Sequence, residues 1–244
     1  MYQLSEITDN VYRISIYVKD FNLQFNHFLI KDDEPMLYHA GLQQTFPVLL
    51  EAVSKLIDPR LLRWIGFSHF EVDECGALNK WLEIAPHARP VCSDIGALVN
   101  MSDFAIRPAV GLAHRETFST GKFKFQFFKT PHLPHGWDAG VLFEQHNRTL
   151  FCSDLFFHHG NVEPLTNNDI LGIHQASLEQ QQAGPLIDYS PYSDKTLPML
   201  QELSGLEPTL LATMHGSSYN GDCKQMLLDL DSIMRSTLSQ PSIL

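Results

Sequence analysis

The sequence predicts an α+β protein of the αββα kind, two packed sheets with helices outside, in a single domain over residues 1–244. Three observations predict it. Strand-like runs fall in two groups, each folding back over polar turns as a meander. Helical periodicity follows each group. No internal repeat, low-complexity run or linker divides the chain.

In chain order, residues 10–16 and 25–30 read as strands, and Lys31-Asp32-Asp33-Glu34-Pro35 is a polar turn before Met36-Leu37-Tyr38. Phe46, Leu49, Leu50, Val53 and Leu56-Ile57 recur at helical spacing over 45–57, and Pro59 stops that helix. The apolar run 61–67 is a strand, 77–83 a helix, and 90–92 a short strand. Ser93-Asp94 caps a helix to about 101. Lys122-Phe123-Lys124-Phe125-Gln126-Phe127 alternates strictly, as a half-buried strand does. Residues 140–144 and 148–152 form a hairpin, a helix occupies about 174–182, and another runs from Ser193-Asp194 to about 203. Thr209 to Met214 is a strand, and Met226, Leu227, Leu230, Ile233 and Met234 mark an amphipathic C-terminal helix.

Composition narrows the function. A net charge of -11 argues against nucleic acid and anionic membranes as partners. No apolar run approaches the roughly 20 residues of a membrane span, and the first residues lack a signal-peptide pattern, so a cytoplasmic protein is expected. Cys75, Cys92, Cys152 and Cys223 are dispersed, as free thiols in a reducing compartment would be. Twelve histidines point to metal or acid–base chemistry.

The chemistry concentrates in Ser68-His69-Phe70-Glu71-Val72-Asp73-Glu74-Cys75-Gly76. His69, Glu71 and Asp73 fall at every second position, so they point one way if the backbone stays extended beyond its strand. One imidazole and two carboxylates must each be paired when desolvated, and a metal ion is the usual partner. His132, Asp154 and His215 each follow a strand end, where functional residues gather on one rim. Three imidazoles and three carboxylates exceed one tetrahedral zinc and suit two metals, with Asp154 as the natural bridge.

The order H-x-E-x-D, then H, D and H at strand ends, resembles the metallo-β-lactamase superfamily, and within it the diiron domain of flavodiiron proteins. Phe25-Asn26-His27-Phe28-Leu29-Ile30, Thr130-Pro131-His132-Leu133-Pro134, Leu150-Phe151-Cys152-Ser153-Asp154-Leu155-Phe156 and Met214-His215-Gly216 are similar to that domain's landmarks, across nearly the whole chain. Hydrolases of the superfamily carry H-x-H-x-D-H; here Glu71 replaces the second His and Glu74 the last. Carboxylate in place of imidazole shifts preference from zinc toward iron or manganese. The resemblance implies two iron ions, with zinc or manganese as substitutes, and a bridging oxo or hydroxo group. It places His69, Glu71 and His132 on one iron, Asp73 and His215 on the other, and Asp154 between them.

Two departures qualify the resemblance. Glu74 replaces a common His and leaves the second iron with fewer nitrogen ligands or an open position. The sequence ends at Leu244 without the flavodoxin domain of those proteins, so no flavin is expected in this chain, which resembles the stand-alone oxygen-binding diiron proteins. Electrons would come from a separate rubredoxin- or flavodoxin-like protein; O2 or another diatomic would be the ligand, and a homodimer the assembly.

Around these ligands, Glu74 is either a weak or supporting ligand or a carboxylate favoured by a helix N-terminus. His135 is placed for a supporting or substrate-side role, and His39 for an active-site contact, as a ligand or in support of one. His158 or His159 either orients Asp154 or lies on a loop. His27 reads as a strand residue, and His87, His114, His146 and His174 as surface. Trp137 and Phe70 either line a dry pocket or pack in the core, and nothing marks Cys75 as reactive. The expected function is binding, and reduction, of O2, peroxide or NO. The alternatives are a binuclear metal-dependent hydrolase of esters, lactones or phosphodiesters, and an oxygen or redox sensor.

Overall fold

The computed structural model describes residues 1–239. Its first sheet holds β1 (Gln3–Thr8), β2 (Val11–Val18), β3 (Leu23–Ile30), β4 (Met36–Tyr38), β5 (Trp64–Gly66), β6 (Arg89–Ser93) and β7 (Val110–Leu112), side by side in chain order. Pairing is antiparallel from β1 to β4 and parallel from β4 to β7. The second sheet is built from β8 (Thr117–Ser119), β9 (Lys124–Lys129), β10 (Gly140–Glu144), β11 (Thr149–Phe151), β12 (Leu165–Thr166), β13 (Leu210–Ala212) and β14 (Ser218–Tyr219). Its spatial order is β12-β14-β13-β11-β10-β9-β8.

Three apolar layers hold the two sheets and their helices together. Phe28, Tyr38, Phe125, Phe127 and Phe151 fill the space between the sheets. Ile14, Leu29 and Leu37 instead face α1 (Phe46–Ser54) and, beyond α2 (Val72–Cys75), α3 (Leu78–Ile84), whose Leu49, Val53 and Trp81 share their cluster. A strand covered on both faces needs apolar residues at successive positions, and Phe28-Leu29-Ile30 supplies them. After β6, α4 (Asp94–Gly96) continues through a π turn, Ala97–Met101, into α5 (Ser102–Phe104), with Ser93 Oγ capping Gly96 N. On the far side, α6 (Leu171–Gln182), α7 (Thr196–Gly205) and α8 (Cys223–Leu238) cover the second sheet through Leu178, Leu200, Leu203, Leu227 and Leu230.

The predicted αββα order is therefore present. The N-terminal strand β1 and the two- and three-residue strands β7, β8, β12 and β14 were not predicted. Runs that short carry too little periodicity to read. Among the described residues no helix is long and apolar enough to cross a membrane.

Candidate metal centre

Strand β5 delivers the first donors. Gly66 is required there, because a Cβ would lie 2.6 Å from the Tyr38 ring. Beyond buried Phe67, the Ser68 carbonyl accepts from Gly140 N at 3.0 Å, which ties the end of β5 to the start of β10 in the other sheet. The backbone bends over Ser68–Phe70, where Glu71 N donates to the His69 carbonyl at 3.0 Å; Glu71 itself is extended, with φ -138° and ψ 155°, and Val72 then opens α2. The extended alternation expected over residues 69–73 is therefore absent: a bend and a tight turn bring His69 and Glu71 together, and Asp73 reaches the site from a helical turn.

Sheet two delivers the other half at its matching rim: His135 from the loop after β9, Asp154 after β11 and His215 after β13. His69 Nε2 lies 2.9 Å from Glu71 Oε2 and 3.7 Å from Asp154 Oδ2. His135 Nε2 lies 3.0 Å from the same Glu71 oxygen and 3.3 Å from the same Asp154 oxygen. The other Asp154 oxygen, Oδ1, is 3.2 Å from His215 Nε2, which is 3.3 Å from Asp73 Oδ2. Ligand atoms of His69, Glu71, His135 and Asp154 all fall within 4.8 Å of one another. Asp154 therefore faces two groups of donors, one with each oxygen, as a bridging carboxylate does.

Outer hydrogen bonds aim the imidazoles. His215 Nδ1 is 2.8 Å from the Gln24 carbonyl, so it donates there and leaves Nε2 for the site. Gly216, at φ +89°, has no room for a side chain, since a Cβ would come within 2.5 Å of three His158 ring atoms. Its carbonyl accepts from Arg13 Nη2 and Asn26 Nδ2, both at 2.8 Å, which fixes the turn behind His215. His69 Nδ1 is 2.8 Å from Ser68 Oγ. Ser68 Oγ donates in turn to Glu74 Oε1 at 2.6 Å, and Ser153 Oγ donates to the same oxygen at 2.8 Å. Glu74 Oε2 accepts from Ser68 N at 2.6 Å and His69 N at 3.2 Å. Such outer partners set ring orientation and ligand basicity.

The electrostatics show what this donor set lacks. Burial pulls the His69 imidazolium down, but Glu74, Glu71 and Asp154 outweigh it and hold the group at about 10. His215, equally buried, is carried well above its ordinary value by Asp154 and Asp73. Burial raises the Asp154 carboxyl, yet His215, His135 and His69 bring it to about 2, and Glu71 is depressed against its own burial by His135, His69 and Tyr189. Asp73 is raised by burial, with His215 only partly offsetting this. Carboxylates crowded this closely retain protons on His69 and His215, and cations are the natural replacement for those protons. Asp73 Oδ1, Asp154 Oδ1 and His135 Nδ1 are buried without an aligned hydrogen bond. The residues therefore fit a pair of metal ions.

Placement differs from expectation at several residues. His132 is exposed, outside the cluster, and His135 occupies the position expected of it. The cause is the loop path: Leu133 N returns to the Thr130 carbonyl, His132 takes a left-handed φ of 65°, and buried Leu133 and Pro134 carry the chain inward to His135. Glu74 is fully buried, held by its four donors rather than facing the donors around Asp154. His39 lies behind it, with Nε2 3.7 Å from Glu74 Oε1, and does not reach the site. His158 is locked beneath Gly216 by Phe156 O and Ser217 N, while His159 lines the cavity described below. His174, expected at the surface, is buried, with Nδ1 2.9 Å from Phe157 O. Phe70 and Trp137 are 41% and 45% exposed and line neither the core nor that cavity. Burial pushes the Cys75 thiol up, so it stays protonated.

Tyr189 was not foreseen. It comes from an irregular stretch with no periodic signal, and its hydroxyl donates to Glu71 Oε1 from 118 residues away. Its ring lies 4.1 Å from that of His135. Burial and Glu71 push its own ionisation up, so it remains a phenol. Beside it, a cavity of about 360 Å³ opens on Glu71, Asp73, His135, Asp154 and His215 and is also lined by Leu178 and Met234.

Comparison with known proteins identifies the fold and the family. The rubredoxin-oxygen oxidoreductase of Megalodesulfovibrio gigas is 25% identical over 202 residues, covering 81% of this chain and 49% of its own length. The flavo-diiron protein FprA2 of Clostridium acetobutylicum is 22% identical over 252 residues, covering 95% of this chain and 62% of its own. This chain thus spans about half to three fifths of those relatives. Among solved structures, the rubredoxin oxygen:oxidoreductase of Desulfovibrio gigas superposes with a TM-score of 0.82 at 20% identity, over 94% of this chain and 61% of that one. The flavodiiron protein of Giardia intestinalis gives 0.75 at 17%, over 96% and 60%. The model of the ODP family beta lactamase matches residues 23–216, and the chain belongs to that family.

Proposed function

We propose that this chain is a non-haem diiron domain that binds O2 and, given electrons, reduces O2, peroxide or NO. The observation that carries the reading is Asp154, one oxygen facing His69, Glu71 and His135 and the other facing His215 and Asp73. An equal mix of imidazole and carboxylate favours iron, with manganese or zinc as substitutes, over the nitrogen-rich set that suits zinc. When bound, the iron pair supplies electrons and an open coordination position.

The chain's own residues do the rest. Glu71 orients His69 and His135 against Asp154, and Tyr189 keeps a proton at Glu71 Oε1, on the cavity side. Leu155, Phe157 and Leu178 give the approach apolar walls. The reading carries with it a separate one-electron donor of the rubredoxin or flavodoxin kind, a homodimer and a reducing cytoplasm. Four buried, unpaired cysteines support the last.

Metal analysis of protein isolated without added metal should find about two irons per chain, and O2 added to the anaerobic reduced protein should produce a new visible absorption band. Two zincs and no iron would overturn the reading in favour of the hydrolase.

A further inference from the structure

The cavity is far larger than a diatomic requires. A water-sized molecule claims about 30 Å³ of liquid volume. The cavity offers about 360 Å³, inside the range of pockets that take whole organic molecules. Its lining is of two kinds. Glu71, Asp154 and His215 belong to the donor cluster, whereas Phe157, Leu178 and Met234 share one apolar cluster, with His159, His174, Gln180 and Gln181 also facing the cavity. Leu178 and Met234 are both buried, from α6 and α8 respectively, so this wall belongs to the rigid helical layer. An apolar wall of this kind attracts an apolar tail.

A ligand that fits both kinds of lining has an O–O head and a hydrocarbon body. We propose that the site takes organic hydroperoxides, alkyl or aryl, with the O–O group at the donor cluster and the organic body against Leu178 and Met234. This rests on the diiron reading of the same site. The reaction is ROOH + 2 e⁻ + 2 H⁺ → ROH + H2O. The O–O bond breaks, and the hydroperoxide is reduced to an alcohol and water. The two electrons come from an external one-electron donor and the two protons from solvent. Tyr189, donating to Glu71 and lining the same cavity, is the positioning residue that keeps the head group beside the carboxylates.

Two measurements on the full chain test this. In the first, oxidised, iron-loaded protein is titrated calorimetrically with 2-phenyl-2-propanol, the unreactive alcohol of cumene hydroperoxide. Saturable one-to-one binding is expected, weakened at least ~10-fold by Leu178→Trp, which narrows the cavity at its apolar wall, with iron content unchanged. Because the larger side chain could itself disturb folding, Met234→Phe is measured in parallel for the same loss. In the second, dithionite-reduced, iron-loaded protein is mixed anaerobically with cumene hydroperoxide or with hydrogen peroxide at equal concentration. Reoxidation at least ~10-fold faster with the organic hydroperoxide is expected. Protein that binds iron and reacts with O2 but shows no alcohol binding, or no preference over hydrogen peroxide, overturns the inference and leaves the diiron reading standing. Protein that holds no iron and does not react with O2 overturns the diiron reading itself.

Discussion

His69, Glu71 and His135 crowd one oxygen of Asp154, whereas His215 and Asp73 alone attend the other. The crowded half also has the deeper support, since Glu74, Ser68 and Ser153 stand behind His69. In the sparse half, His215 leans on a single backbone carbonyl. Glu74 explains much of the difference. It sits next to Asp73 in sequence, where it could have served the sparse half, yet its carboxylate is committed to positioning the crowded one. Two metal positions built so unequally should differ in affinity, and the sparse one leaves more room for an incoming ligand.

The largest change should follow Asp154→Ala, which removes the residue common to both halves. Affinity for both metals should drop at least ~100-fold, with metal content after dialysis near zero. Retention of one tightly held metal would mean that Asp154 does not bridge. His135→Ala should strip the crowded half while leaving His215 and Asp73 in place, so elemental analysis should report the loss of about one equivalent. Proton competition gives the next effect. In metal-free protein His69 stays protonated up to about 10, so an entering metal must displace that proton. Affinity of the crowded half should therefore rise about tenfold per unit between about pH 7 and 9, levelling as pH passes the folded value. A flat profile in a chelator competition would contradict the charged imidazole.

Glu74→Gln keeps the shape but replaces an acceptor-only carboxylate that now receives four hydrogen bonds. It should weaken the crowded half by roughly tenfold and leave the sparse half alone, visible as a shift in only one phase of a two-phase metal titration. His132→Ala should do nothing measurable to metal content, because that side chain is exposed and outside the cluster.

The contrast between His132 and His135 also marks what was readable from sequence. Residues 122–127 alternate strictly, so a strand there was plain, and Asp154 and His215 leave their strands directly enough to be placed from sequence order. Between Thr130 and Gly136 the chain instead reverses through a left-handed residue and two internal hydrogen bonds. Which of two histidines in such a loop turns inward is decided by where Leu133 is buried, and no period in the sequence records that. Tyr189 was hidden for a related reason. It lies in an irregular stretch, and its partner is fixed only after α6 and the second sheet have packed. Glu74 could be narrowed to two roles but not assigned, because Ser153, which shares its oxygen, arrives from the opposite sheet.

The origin of the donors in two sheets has a mechanical consequence. His69, Glu71 and Asp73 hang from the first sheet, and His135, Asp154 and His215 from the second. Metal ions held among them would act as a clasp across the open rim of the sandwich, fastening His69 of the first sheet to His215 of the second. Because only the folded chain assembles the clasp, its binding energy adds directly to resistance against unfolding. Prying the sheets apart at that rim would then require release of the metals first. The metal centre would serve as the fastener of the fold that creates it.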